Sequence, residues 1–265
     1  MTEAGVSQDI LYAVEGGIGT ITLNRPQARN AMTFAMYERL AEICRDPAAH
    51  GDPRVIIVTG AGDKAFASGT DIAQFRSFAS AADALAYEER IEGVIDAIER
   101  CAVPTLAAIS GAVTGGGAAI ALACDLRIAT VTARFGFPIA RTLGNSLSMA
   151  NYARLFALLG PALVKDIVFT ARLVEAEEGR RAGLYSELLP DHPALMLRAA
   201  ELATTIAGHA PLTMRATKEA MRRLTAATAQ AVAGEDLVTL CYTSEDFREG
   251  MEAFLAKRPP VWRGR

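Results

Sequence analysis

The sequence predicts an α/β fold, with a sheet-based core laid down first and a helical region after it. Three observations carry this prediction. Two short continuous apolar runs, Val55 to Val58 and Thr105 to Ile109, lead into Gly-rich segments, the pattern of strands buried on both faces. Between them Ala82 to Arg100 repeats its apolar residues at helical spacing, with Ile91, Val94, Ile95 and Ile98 on one face. From Ser146 onward the chain is mostly helix, and strands followed by helices imply a sheet core with a helical appendage.

In chain order, Ile10 to Val14 and Ile18 to Leu23 are β-rich runs around Gly16-Gly17, a hairpin signal. Thr33 to Cys44 reads as a helix with Thr33 as its N-cap. After the strand at Val55 comes a loop, Thr59-Gly60-Ala61-Gly62, and a helix over 82–100 that Pro104 ends. The strand at Thr105 leads to Gly115-Gly116-Gly117 and an Ala-rich helix, Ala118 to Cys124, sunk in the core. Asp125 to Thr130 and Arg134 to Phe137 are further short strands. Helices follow at about 148–158, 161–169, 175–183, 193–208, 212–231 and 244–257. No repeat or linker divides the chain, so 1–192 is expected as the core and 193–265 as a helical region of the same domain.

Composition narrows the functional classes. At 51% hydrophobic and 22% charged residues over 265 positions, the chain has enough apolar content for a large core without disulfides or metals. A net charge of −3 supplies no general attraction to nucleic acid or anionic membrane. Cys44, Cys101, Cys124 and Cys241 lie far apart, with no C-x-x-C pair, and read as buried reduced thiols. The polar, acid-bearing start MTEAGVSQD resembles neither a secretory nor a transit peptide, and Val113 to Cys124 is too short to span a bilayer. The expectation is a cytoplasmic protein with no membrane, nucleic-acid or metal partner.

Two segments carry candidate chemistry. Ala65 to Asp71 follows the first buried strand, and Ser110 to Gly117 follows the second. Both join a strand's C-terminal end to a helix, where α/β sheets place ligands. Glycines there allow close backbone approach, and helix N-terminal N–H groups point at developing negative charge. Two such groups meeting at one point make an oxyanion hole; the bland alternative is a pair of tight turns. Neither segment matches the phosphate-binding G-x-x-x-x-G-K-[ST] or the dinucleotide G-x-G-x-x-G pattern.

The segments ITLNRPQARNAM (21–32), VIIVTGAGDKAFASGTDIAQF (55–75), PTLAAISGAVTGGGAAIALACDLRIAT (104–130) and EGMEAFLAKRPPVWRGR (249–265) resemble the crotonase superfamily of enoyl-CoA hydratases and isomerases, in that family's order and spacing. The resemblance implies a ββα spiral core, with C-terminal helices packing subunits into a homotrimer or dimer of trimers. It also implies an acyl-CoA substrate, no cofactor beyond the coenzyme A carried by that substrate, and a thioester carbonyl held by the N–H groups of Thr70 and Gly116. Coenzyme A contacts are implied at Gln27, Ala28, Arg29, Ser68, Asp71, Ile72 and Lys257. Asp71 has an alternative reading as the cap of the helix beginning there. Solvated charge is the alternative for Lys257 and its neighbour Arg258.

The resemblance breaks at the proton-handling positions. The family's hydratases use two glutamates, whose places fall here at Ala119 and at Ile139 or, with a loop one residue longer, Ala140. None of these accepts a proton, so two-glutamate hydration is not expected. Polar candidates for the pocket are Thr114, Arg141, Thr142, Asn145 and Ser146, with Ser68 nearby. Gly144-Asn145 is similar to the family's dehalogenase loop, but that branch's nucleophilic Asp falls at Ser146. Glu88, Glu89 and Glu92 lie on the helix flanking the family's acyl pocket and read as a solvated face. His50, His192 and His209 have no serine or cysteine partner in sequence context, so no nucleophilic triad is expected. The functional expectation is an enolate-stabilising acyl-CoA enzyme of the hydratase/isomerase type. The alternatives are a decarboxylase-like branch or a CoA-ester-binding protein without turnover.

Overall fold

The computed structural model describes residues 6–77, 80–230 and 232–265; the amino terminus at 1–5 and the expected helix end at 231 lie outside them. The chain begins with α1 (Val6–Asp9), β1 (Ile10–Glu15), β2 (Ile18–Leu23), α2 (Phe34–Arg45), β3 (Val55–Gly60), β4 (Ala65–Ala67) and α3 (Ala81–Glu99). Then come β5 (Thr105–Ile109), β6 (Ala112–Thr114), α4 (Gly116–Ala123), β7 (Leu126–Thr130), β8 (Arg134–Gly136), α5 (Ile139–Thr142) and α6 (Met149–Phe169). It ends with β9 (Val174–Glu175), α7 (Ala176–Arg181), β10 (Glu187–Leu189), α8 (His192–Ala207), α9 (Pro211–Gln230), α10 (Glu235–Tyr242) and α11 (Glu245–Leu255).

A six-stranded sheet runs β1-β2-β3-β5-β7-β10, parallel apart from the β1–β2 hairpin. The hairpin pairs Glu15 with Ile18, so Gly16 and Gly17 form a two-residue loop with φ of 59° and 78°. Two successive positive φ values match the twist of the flanking strands, and glycine reaches them without strain. A smaller sheet runs β4-β6-β8-β9. Three times in succession the chain gives one strand to the large sheet, one to the small sheet, and then a helix: β3-β4-α3, β5-β6-α4 and β7-β8-α5. That repetition is the ββα spiral.

The apolar runs are explained by two-sided burial. Val55, Ile57, Leu106 and Ala108 pack with Leu195, Ala199 and Ala203 of α8, while Ile56, Val58, Ala107 and Ile109 face the main core. Alternate residues of a strand point to opposite faces, so every position of β3 and β5 must be apolar or internally bonded. The two polar exceptions are internally bonded: Thr59 donates to Ala108 O at 3.0 Å and Thr105 Oγ1 to Asp125 Oδ2 at 2.9 Å. Thr33 caps α2 by accepting the Met36 N–H, as its sequence context predicts. The helices expected at 148–158 and 161–169 are the two arms of α6, bent where Gly160 takes φ 71° before Pro161. The four cysteines carry free thiols.

Several expectations need correction. The segments at 65–71 and 110–117, expected as connections from strand to helix, contain the three-residue strands β4 and β6, which are held by pairing with each other and, for β6, with β8. The Ala-rich helix starts at Gly116, not Ala118, and β9, β10 and α10 interrupt or extend the region read as helices alone. Among the described residues no helix is long and apolar enough to cross a membrane.

Candidate active site

The two glycine-bearing segments are brought into direct contact. Pairing of β4 with β6 sets them side by side, and Thr114 Oγ1 donates to Ser68 O at 3.0 Å across the junction. A Cβ on Gly115 would lie 3.4 Å from the Gly69 Cα, and one on Gly69 would lie 3.7 Å from the Gly116 nitrogen. Gly69 and Gly115 hold φ of 109° and 53°, backbone that only glycine adopts freely.

The N–H groups of Thr70 and Gly116 are both left over by the local hydrogen bonding. Thr70 pairs with Met32 in an isolated parallel bridge, whose bonds are Met32 N–H to Gly69 O at 2.8 Å and Asp71 N–H to Met32 O at 2.9 Å. That pattern uses the residues on either side of Thr70 and omits its own N–H. Gly116 is the first residue of α4, and the first N–H groups of a helix have no intrahelical partner. A side chain on Gly116 would collide with the Tyr37 hydroxyl, and one on Gly117 would meet the Ala67 Cβ at 2.6 Å. Both positions therefore demand glycine.

Around this junction lies a chain of hydroxyls that the sequence does not announce. Thr70 Oγ1 is 3.0 Å from Tyr37 Oη and 2.9 Å from Tyr87 Oη. Burial raises the pKa of both tyrosines, so they are neutral hydrogen-bonding groups at ordinary pH. Tyr37 sits on the apolar face of α2, and Tyr87 packs against Phe34 and Phe75. In the sequence both look like core aromatics.

The glutamates of α3 do not form a solvated face. Glu89 is exposed, but α10 packs on α3 and Tyr242 Oη donates to Glu88 Oε1 at 2.6 Å. Asn145 Nδ2 in turn donates to Tyr242 Oη at 3.1 Å, and the buried Asn145 Oδ1 has no partner among the described residues. Burial lifts the Glu88 pKa to about 7, opposed by the Tyr242 hydrogen bond and reinforced by Glu92. Glu92 is bonded by Arg154, as is Glu99. The helical period of α3 alone could not reveal this, because α10 and α6 supply the cover.

The remaining sequence candidates divide. Asp71 Oδ1 accepts the Ala73 N–H in the first turn of a 3₁₀ segment (Ile72–Ser77), the expected capping role, while Oδ2 accepts from Arg25 at 3.1 Å. Ser68 N–H donates to Arg29 O at 3.0 Å, tying the first segment to the Pro26–Ala28 turn where Gln27 and Arg29 are exposed. Arg29, Lys64, Arg134 and His192 border a separate cavity of about 440 Å³. Lys257 is exposed beyond α11, and Arg258 is committed to Glu249. Arg141 and Ala140 are exposed, and Thr142 and Ser146 bond to the carbonyls of Pro138 and Leu147. Ala119 and Ile139 are buried, with exposures of 2% and 6%. His192 does have a serine partner: its Nδ1 is 2.9 Å from Ser110 Oγ, because β5 ends beside the start of α8. No carboxylate bonds to His192 among the described residues, so the pair lacks the group that would orient it. No set of residues suited to a metal ion is present among the described residues.

Comparison with known proteins agrees with this architecture. Residues 13–265 match the family model for enoyl-CoA hydratase/isomerase. The chain is 31% identical to a short-chain-enoyl-CoA hydratase of Clostridium acetobutylicum, covering 94% of this chain and 95% of that protein. It is 34% identical to a crotonyl-CoA hydratase of Syntrophomonas wolfei, covering 95% and 96%. Among solved structures it is similar to methylmalonyl-CoA decarboxylase in complex with 2-nitronate-propionyl-CoA. That similarity has a TM-score of 0.87 and 25% identity, over 97% of this chain and 99% of the other. From the spiral of two sheets and the matches along nearly its whole length, the chain belongs to the enoyl-CoA hydratase/isomerase family, within the crotonase superfamily.

Proposed function

We propose that the protein is an acyl-CoA enzyme that stabilises a thioester enolate between the backbone N–H groups of Thr70 and Gly116. The observation that supports this most directly is the contact between Gly69-Thr70 and Gly115-Gly116, which brings together two segments whose Thr70 and Gly116 N–H groups have no local partner among the described residues. As the α-carbon becomes nucleophilic, negative charge accumulates on the thioester oxygen. Two fixed donors stabilise that charge more than the neutral carbonyl, which lowers the barrier. The hydrogen bonds of Thr70 Oγ1 with Tyr37 and Tyr87 engage the Thr70 hydroxyl and fix this wall of the site.

The apolar residues Ala119 and Ile139 favour a decarboxylase-like reaction over hydration. Hydration requires a group to order water and another to place a proton at the α-carbon. Loss of a β-carboxyl as CO2 requires no ordered water and no base: the carbon–carbon bond breaks, its electron pair becomes the enolate, and one proton delivered to the α-carbon completes the product. Similarity to methylmalonyl-CoA decarboxylase supports the same direction. Crotonyl-CoA hydration is therefore expected to run ~100- to 10,000-fold below that of a two-glutamate hydratase. A malonyl- or methylmalonyl-type CoA ester is expected to lose CO2, followed by mass spectrometry. Fast hydration at the enoyl chromophore would overturn this preference. Binding of the esters without any turnover would instead establish the CoA-ester-binding alternative.

We further propose a cytoplasmic trimer or dimer of trimers. The support is apolar surface on α9, where Leu212, Met221 and Leu224 are 76%, 56% and 65% exposed. The 193–208 helix contributes less than its composition suggests, because Leu195, Ala199 and Ala203 pack on the chain's own sheet. Light scattering at micromolar concentration is expected to give three or six copies, and a monomer would contradict the assembly.

A further inference from the structure

We propose that Glu88 is the group that moves the proton at the substrate α-carbon, taking the role left open by Ala119 and Ile139. The inference rests on the enolate reading given above. Its geometric basis is a junction of three elements. Tyr37 and Tyr87 both reach Thr70 Oγ1, and both feel the charge of Glu88, which places the carboxyl close to this wall of the proposed carbonyl site. Tyr242, brought 154 residues along the chain, donates to Glu88 Oε1 at 2.6 Å. No described hydrogen bond engages Oε2. The buried Asn145 Oδ1 beside Tyr242 also lacks a partner among the described residues, and a buried acceptor without one is destabilising unless a ligand supplies the donor.

A purely structural role for Glu88 explains less. A docking contact between α3 and α10 needs only a neutral acceptor for the Tyr242 hydroxyl, which glutamine would provide. Instead the site holds a carboxyl whose charge burial opposes, and the pKa of about 7 lets it both accept and return a proton near neutral pH. The groups facing it are consistent with this assignment. Tyr37 on α2, Tyr87 on α3 and Tyr242 on α10 all have raised pKa values and remain neutral, while Glu92 is bonded by Arg154.

The step balances without a further reactant. The carboxylate accepts the α-proton, and the electrons of the C–H bond become the enolate held by the Thr70 and Gly116 N–H groups. The reverse transfer returns a proton to the α-carbon. After decarboxylation only this second half operates, with protonated Glu88 as the donor.

Butyryl-CoA in D2O tests the assignment, because each enolisation event exchanges an α-proton and changes the mass. Wild-type protein is expected to exchange, with a rate that rises through about pH 7 as Glu88 ionises. Glu88→Gln keeps the acceptor for Tyr242 and is expected to lose ~100-fold or more of the exchange. Its binding of butyryl-CoA, measured by calorimetry, should be unchanged. Tyr242→Phe removes a bond that favours the carboxylate, so the midpoint of the pH profile should move upward, which a structural contact would not cause. Exchange at the wild-type rate in Glu88→Gln overturns the role of Glu88 and leaves the enolate reading standing. Absence of exchange in the wild type at every pH overturns both.

Discussion

Proline at position 116 is expected to reduce α-proton exchange or decarboxylation by roughly 100- to 1,000-fold, the usual cost of losing one oxyanion donor. Proline has no N–H, and the first position of a helix is where its fixed φ is best accommodated. Gly115 precedes it with ψ −125°, outside the α region that a following proline disfavours. The difficulty is steric. Any Cβ at 116 collides with the Tyr37 hydroxyl, so Gly116→Pro alone would mix a lost donor with a displaced α2. The comparison should be made in a Tyr37→Phe background, with Gly116→Ala as its control. Both double variants carry a Cβ beside a ring without a hydroxyl, and only the proline lacks the N–H. Gly117→Ala is unsuitable as a control because its Cβ would meet the Ala67 Cβ at 2.6 Å. Equal activity in the proline and alanine backgrounds would remove Gly116 from the mechanism.

The parts of the structure legible in the sequence are those set by local pattern. β3 and β5 announce themselves because two-sided burial forces uninterrupted apolar runs, and Gly16-Gly17 announces the hairpin because both residues need positive φ. The two glycine-bearing segments are legible by their resemblance to a known family. β4 and β6 are not legible as strands, since segments of only three residues carry too little pattern and become strands by pairing with each other and, for β6, with β8. Tyr37 and Tyr87 look like ordinary core aromatics until α2, α3 and the Thr70 segment are brought together. Glu88 illustrates the limit best. Its environment is decided by Tyr242, on a short helix far along the chain, and no window of sequence contains both residues.

Arg154→Met is expected to destabilise the protein by about 3–5 kcal/mol, the range for breaking a buried ionic cluster by removing one partner. The Arg154 side chain, on α6, is only 7% exposed. It bonds Glu99 through Nε at 2.9 Å and Nη2 at 2.8 Å, and Glu92 through Nη1 at 3.0 Å and Nη2 at 2.5 Å. Two forked contacts match the planar guanidinium, and lysine could not reproduce them. Methionine fills similar volume, so the loss reports the charge and hydrogen bonds more than a cavity. What remains is two carboxylates, 30% and 17% exposed, without their cation. Replacing all three residues with apolar side chains should be far less costly than the single change, because no unpaired charge is then buried. Denaturant unfolding of the single and triple variants separates these cases. Equal destabilisation by both would mean that packing, not charge compensation, holds α6 to α3. The cluster also has a functional consequence, because α3 carries Tyr87 and Glu88. Releasing α6 from α3 should therefore slow α-proton exchange even where the protein is still fully folded.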